Sequence, residues 1–160
     1  MSYDLLKKKM YEIKQLQSIS ALLSWDMEVM MPHASDKGFR ADQSSLINGL
    51  AHEKVTDNVL EKLVNDLLAG NTLSEQDRRE ISTLKKDISK SKKLSKEFVE
   101  KESKLTSEAY SIWEKAKSSS DFKLFEPSLS SIVDLLREKC DLLGYDVHPY
   151  NALLNEFEEG

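Results

Sequence analysis

The sequence predicts an all-α fold, a bundle-like array of about six to eight helices, and three observations carry this prediction. Apolar residues recur at steps of three and four along most of the 160-residue chain, which is the period of an amphipathic helix. No segment alternates apolar and polar residues over the length of a strand. The 5 glycines and 3 prolines supply few turns, so we expect long helices. We treat residues 1–160 as a single all-helical region.

The first two helices flank a proline. The first starts at about Tyr3 and is limited by Pro32, because the residue before a proline is pushed out of the helical region. Its apolar stripe consists of Leu6, Met10, Ile13, Leu16, Ile19 and Leu23. The second helix should start near Ser35 or Asp36 and run through Leu50.

The third and fourth helices are predicted from their capping residues. The third spans Val55 to Ala69, with Thr56 or Asp57 at its start and Gly-Asn as its stop. Ser74 opens the stretch SEQD, which is typical of a helix N-terminus with an acidic first turn. The fourth helix follows it.

Two long helices and a short one complete the prediction. Leu94 to Lys117 forms a long helix, which the sequence SSSDF ends. Pro127 suits the first position of the next helix, because a proline there lacks only an amide that has no helical partner. Gly144 closes that helix, and HPYNALLNEF then forms a turn and one last short helix.

Composition and charge exclude several classes of function. The net charge of −5 disfavours binding to nucleic acid, which needs a concentrated basic face. Cys140 is the only cysteine, which excludes an internal disulfide and a multi-cysteine metal site. The chain has no apolar run of about 18 residues and no signal-peptide pattern at its start. We expect a cytoplasmic protein that binds neither nucleic acid nor membrane.

His52-Glu53 resembles half of the zinc-protease motif HExxH, whose two histidines bind one metal because they lie four residues apart on a helix. Here the sequence reads HEKVT, and Thr56 stands where the second histidine is needed. The other histidines, His33 and His148, lie in different predicted loops or helix ends. The sequence also lacks a nucleophile elbow and a phosphate-binding glycine loop. It therefore predicts no metal site and no catalytic residue within this chain.

The stretch WDMEVMMP, at the end of the first helix, is the densest local signal. Its neighbourhood is apolar on more than one helix face, through Leu22, Leu23, Trp25, Met27, Val29, Met30 and Met31. We therefore expect this end of the helix to be surrounded on several sides. Asp26 in such a place needs a partner, and we expect Arg40 first and Lys37 second. A structural ion pair is favoured over a catalytic acid, and core packing over an adaptable methionine groove.

Four strings in this sequence resemble the M32, or Taq-type, zinc carboxypeptidases in their order and spacing. They are ALLSWDMEVMMP, RADQSSLINGLAHE, IWEKAKSSSDFKLFEPSLSSIVDLLREKCDLLG and HPYNALLNEFEEG. The resemblance spans nearly the whole chain, and four landmarks in register are more specific than one short motif. The chain is similar to roughly the first third of such an enzyme.

The resemblance implies an all-helical metal-dependent peptidase, usually a homodimer, that removes residues from peptide C-termini. In that family zinc or cobalt is held by the two histidines of an HExxH helix and a later glutamate. That motif lies beyond the part that this chain resembles. The resemblance therefore assigns no metal ligand and no catalytic residue here, and the metal is implied for the full-length enzyme only.

The resemblance does assign residues to two landmarks, with architectural roles and with contact to the substrate groove as a further expectation. The first landmark is a helix corner that contains Trp25, Asp26, Met31, Pro32 and Arg40. The other is the last string, HPYNALLNEFEEG, which contains Tyr150 and Leu153.

The last of the four strings, HPYNALLNEFEEG, departs from the family pattern. The family usually carries two aspartates, a tyrosine and a proline at the positions of Asn151, Asn155, Phe157 and Glu159. The departure indicates either relaxed constraint or a divergent branch.

The first functional hypothesis is the N-terminal helical portion of a metal-dependent carboxypeptidase, inactive alone, whose partners are the remaining catalytic portion or a second copy of itself. In the intact enzyme a peptide is the substrate. The alternative is a stand-alone helical interaction module, or a docking subunit, derived from the same fold.

Overall fold

The structure is a computed structural model that describes residues 2–32 and 37–154 of the chain. Within these ranges the regular secondary structure is entirely helical, and a π-helix, Asp26–Met30, continues the first α-helix. The α-helices are α1 (Ser2–Trp25), α2 (Gly38–Val55), α3 (Asn58–Ala69), α4 (Glu75–Ser91), α5 (Lys96–Ser119), α6 (Phe122–Leu143) and α7 (Tyr150–Leu154). The predicted all-α array of six to eight helices is confirmed. None of the described helices is both long and apolar enough to span a bilayer.

The array is built around α2 and α5, which form its most extensive helix pair. α1 packs on α2, α6 packs on α5, α3 contacts both α1 and α4, and α7 packs on α6. Gly49 leaves room for the side chain of Glu100 between α2 and α5, because a Cβ at this position would overlap that side chain. This order of packing places the end of α1 beside the start of α2.

The larger buried core joins α1, α3 and α4. Its buried members are Leu6, Ile13, Leu60, Leu63, Val64, Leu67, Ile81 and Ile88. Leu6 and Ile13 belong to the apolar stripe that the sequence predicts for the first helix, so the periodicity correctly identifies the inner face of its first half. Ile19, predicted on the same stripe, is 44% exposed, which corrects the prediction for the second half of α1. A second cluster lies between α6 and α7, where Cys140 is buried with Leu143 and Ala152. The lone thiol therefore has a packing role.

Side-chain caps set the helix starts, as the sequence predicts for Asp57 and Ser74. The Asp57 carboxylate accepts a hydrogen bond from the Val59 amide at 2.9 Å, and the Ser74 hydroxyl accepts one from the Asp77 amide at 3.1 Å. Each cap satisfies an amide that has no partner within its own helix. Asn58 is the first residue of α3, whereas Val55, predicted to begin that helix, is the last residue of α2.

The predicted start of the sixth helix at Pro127 is wrong. α6 begins five residues earlier, at Phe122, because the Asp121 carboxylate caps it by accepting from the Lys123 amide at 3.0 Å. Pro127 lies inside the helix, in its second turn, where it removes the backbone hydrogen bond that an amide would donate to the Lys123 carbonyl. The predicted start of the second helix at Ser35 or Asp36 lies outside the described residues, and α2 is described from Gly38 onward.

Candidate functional site at the first helix corner

The candidate site is the corner at which α1 turns towards α2. The α-helix ends at Trp25 and widens into the π-helix, whose last backbone bond runs from the Met31 amide to the Asp26 carbonyl oxygen at 2.9 Å. Met31 then adopts an extended conformation (φ −74°, ψ 132°), as expected for a residue before a proline. Met31 is half-buried and Pro32 is exposed. The proline and the π-helix together end the first helix.

An ion pair holds the corner together. The Arg40 guanidinium donates to Asp26 Oδ2 at 2.6 Å, and both side chains are half-buried. The predicted pairing of Asp26 with Arg40 is confirmed. The Arg40 Nε is buried and has no acceptor among the described residues. The corner therefore contains a buried hydrogen-bond donor beside its ion pair.

Lys37 does not contact Asp26, which corrects the second choice of partner. Its ammonium pairs instead with Glu114 of α5 at 2.6 Å and lies 5.3 Å from the centre of the Tyr110 ring. The side chain of Lys37 is almost completely buried. The pair fixes the start of α2 against α5. The sequence carries no local sign of it, because 77 positions separate the two residues.

A groove of about 590 Å³ lies along α5 beside this ion pair, and Tyr110, Trp113 and Lys117 are among its lining residues. The Tyr110 and Trp113 rings lie 5.7 Å apart at 40° to each other. The Lys117 ammonium lies 4.7 Å from the centre of the Trp113 ring. The described lining comes from a single helix, so these contacts define a wall and not an enclosed site.

The expectation that the end of α1 is surrounded on several sides is wrong for the outward face. Met27 is buried, but Leu22, Trp25, Val29 and Met30 each expose between 52% and 62% of their surface. Only one stripe of the helix can face α2 and α3, and the described part of the chain leaves the opposite stripe in solvent. The apolar residues on that stripe do not belong to the core.

Tyr150 lies away from the corner. It is the first residue of α7, which packs on α6, and its side chain is exposed. Its backbone amide donates to Nδ1 of His148 at 3.2 Å, which stabilises the turn before α7. Leu153 packs against the small cluster between α6 and α7. Asn155, Phe157 and Glu159 lie outside the described residues.

His52 and Glu53 are both engaged in structural contacts. The His52 Nε2 lies 2.9 Å from the Leu94 carbonyl oxygen, and the Thr56 hydroxyl donates to the His52 carbonyl at 2.8 Å. Glu53 accepts from the Lys96 ammonium at 2.9 Å, and this hydrogen bond raises the pKa of Lys96 above 10.5. The residues present therefore do not fit a zincin metal.

Within residues 2–32 and 37–154, the structure brings together no group of three or more histidine, cysteine, aspartate or glutamate side chains that could hold a metal ion. His33 lies outside this described part. Asp26 pairs with Arg40 of α2, and Lys37 pairs with Glu114 of α5. The arrangement positions helices, and it contains no nucleophile paired with a base.

Comparison with known proteins relates this chain to carboxypeptidases. Residues 5–160 match the family model described as carboxypeptidase Taq (M32) metallopeptidase. The chain is 33% identical to thermostable carboxypeptidase 1 of Pyrococcus furiosus over 96% of its length and 30% of the relative. It is 30% identical to carboxypeptidase 1 of Bacillus subtilis over 99% of its length and 31% of the relative.

Solved structures show the same relation. The BsuCP crystal structure superimposes with a TM-score of 0.87 at 30% identity, and the match covers 99% of this chain and 31% of that one. The chain thus spans about a third of the length of the relatives that it matches. The resemblance found in the four sequence landmarks is confirmed.

Proposed function

Because the chain belongs to the carboxypeptidase Taq (M32) metallopeptidase family, we propose that it is the N-terminal helical portion of a metal-dependent carboxypeptidase. The observation that carries the proposal is the match of nearly the whole chain to about a third of each relative. Together with the rest of an M32 fold, the chain contributes to an enzyme that removes C-terminal residues from peptides. Alone, it catalyses nothing.

The division of roles follows from how the candidate residues are used. His52 contacts a backbone carbonyl, Glu53 pairs with Lys96, and Thr56 replaces the second histidine of an HExxH motif. These groups supply neither a ligand set nor a free general base. We assign metal binding and proton transfer to the part of the fold that this chain does not contain. Zinc or cobalt is the metal that we propose for the intact enzyme.

The contribution of this portion is architectural. The Asp26–Arg40 and Lys37–Glu114 ion pairs fix α1, α2 and α5 relative to one another. Fixed helices are suitable for the wall of a substrate groove, because a wall that moves loses orientation of the substrate. We propose that the first corner, through Met31 and Pro32, faces that groove, and that Tyr150 supports the wall from a second position.

We further propose a cytoplasmic location and a homodimeric intact enzyme. A single cysteine, buried beside Leu143, fits a reducing compartment, where disulfides are rare. The homodimer is what the resemblance implies for the family. Sedimentation of the intact enzyme tests the dimer, and a single monomeric species would contradict it.

Complementation tests the function. The chain is co-expressed with carboxypeptidase 1 of Bacillus subtilis from which the matching third has been removed, and the release of C-terminal amino acids from a peptide is measured. We expect release by the co-expressed pair, loss of release with a chelator, and no release by either part alone. The alternative, a stand-alone interaction module, predicts a stable chain that restores no activity in the pair.

A further inference from the structure

The outward face of α1 changes character along its length. From Lys7 to Ser18 the exposed residues are mostly charged or amide side chains. From residue 19 to residue 30 the exposed positions are mostly apolar, with Glu28 as a charged exception. We call the five large apolar residues among them the outer ridge: Ile19, Leu22, Trp25, Val29 and Met30. Ile19, Leu22, Trp25 and Val29 recur at steps of three and four residues, which places them along one side of the helix, and Met30 follows directly after Val29. A contiguous apolar stripe on an exposed helix face is typical of a surface that contacts another part of a protein.

The ridge is held rigidly although it faces solvent. On the opposite side of the helix, Ile13 and Met27 are buried, and the Ser20 hydroxyl donates to the Asn48 side chain at 2.8 Å. The Asp26–Arg40 ion pair anchors the π-helix from which Val29 and Met30 project. A preformed apolar surface loses little conformational entropy when it becomes covered.

The neighbouring helix presents apolar groups to solvent as well. Phe39 is 74% exposed directly before Arg40, and Leu46 and Leu50 follow it along α2 at steps of seven and four residues. Because α1 packs on α2, two adjacent helices in one corner both carry exposed apolar stripes. The surface that needs a partner is thus larger than one helix face.

The greater length of the relatives indicates what covers the outer ridge. Their chains are about three times as long as this one, and they contain the same helical arrangement, with a TM-score of 0.87 for BsuCP. We propose that the outer ridge is the docking surface on which the remaining portion of the M32 fold packs, with Trp25 as its central anchor. This inference rests on the proposed function, since the occupant is the rest of the same enzyme. A large aromatic residue at the centre of an apolar patch is the usual anchor of such an interface.

The test uses the complete 160-residue chain and, as a probe, the Bacillus subtilis carboxypeptidase 1 that lacks the matching third. A Leu22→Gln/Val29→Gln variant disrupts the ridge, and a Gln15→Ala/Ser18→Ala variant is the matched control on the same exposed side of α1. All four side chains are exposed, so both variants should retain the helical circular dichroism and the melting temperature of the wild type. That measurement separates loss of docking from loss of folding.

Two readouts follow docking. Co-purification gives the apparent dissociation constant, and we expect the ridge variant to bind roughly 30-fold more weakly or worse, as for central interface residues, and the control to bind within about twofold of the wild type. In a Trp113→Phe background Trp25 is the only tryptophan of the chain. Its quenching by acrylamide should fall several-fold in the complex.

The other possible outcomes contradict different parts of the two proposals. A complex that forms equally well with the ridge variant, with Trp25 still quenched, overturns the docking surface and leaves the proposed function intact. Failure of the probe to co-purify with the wild-type chain overturns the choice of occupant, provided that the probe alone shows helical circular dichroism and cooperative melting. A concentration-dependent dimer of the chain alone that the ridge variant abolishes replaces that occupant with a second copy. A ridge-dependent complex without peptidase activity supports the docking surface and contradicts the proposed function.

Discussion

Lys37→Met should destabilise the chain strongly, because it removes one partner of a nearly dry ion pair. The side chains of Lys37 and Glu114 are 2% and 10% exposed and lie 2.6 Å apart. Removing one partner of a buried pair typically costs about 3–5 kcal/mol, since the other charge stays desolvated. Glu114 has further interactions and keeps slight contact with solvent, so we expect the lower limit, about 3 kcal/mol. For a chain of this size that corresponds to a fall of roughly 6–12 °C in melting temperature.

Urea denaturation followed by circular dichroism gives the free energy of unfolding for a double-mutant cycle. Lys37→Met combined with Glu114→Leu replaces the pair by apolar groups and should lie within about 1 kcal/mol of the wild type, since such replacements are often neutral or stabilising. Lys54→Met is the matched control, because the Lys54–Glu12 pair has a similar length, 2.8 Å, but is 48% and 40% exposed. We expect the control to cost less than about 1 kcal/mol. Equal effects of Lys37→Met and Lys54→Met would refute the reasoning from burial.

Three further predictions concern the core, a turn and acid stability. Leu60→Ala should lower the free energy of unfolding by about 2–5 kcal/mol, because Leu60 is completely buried; a loss below 1 kcal/mol in urea denaturation would contradict the assigned core. Gly144→Ala should destabilise by about 1–3 kcal/mol through backbone strain alone, since φ is 78° and a Cβ there would meet no atom within 4 Å; an unchanged melting temperature would contradict that strain. Hydrogen bonds from the Lys9 ammonium, the larger effect, and from the Val59 amide lower the pKa of Asp57 below its usual 3.8. The contribution of Asp57 to the free energy of unfolding is therefore complete above pH 3.8 and is lost as the pH falls through the lowered pKa. Asp57→Asn should therefore be less stable than the wild type near neutral pH and equal to it at the acid end, and a constant difference across that range of pH would disprove the assignment.

The helices and their caps could be predicted because both depend on neighbours in sequence. Asp57 and Ser74 cap amides that lie two and three residues away, and the apolar period identifies buried residues such as Leu6, Ile13 and Ile88. Asp26 and Arg40 are only 14 positions apart in the sequence, which made their pairing predictable as well. Pro127 was misassigned because the preference of proline for a helix start is weaker than the cap that Asp121 supplies.

The remaining features depend on long-range packing. Lys37 meets Glu114 across 77 positions, and the period of α2 and α5 does not specify which charged residues come together. The sequence around Trp25 correctly shows apolar residues on more than one helix face. It does not show which of those faces the chain itself covers, because that depends on the course of α2 and α3. The exposed face of the corner was found only from the structure.

The most direct test of the central claim is a metal and activity analysis of the purified 160-residue chain. The chain is incubated with zinc or cobalt, passed through a desalting column, and examined for bound metal and for release of C-terminal amino acids from a peptide. We predict bound metal far below one ion per chain and no release above the buffer control. One tightly bound ion per chain together with metal-dependent release would contradict the claim that catalysis belongs to another part of the M32 fold.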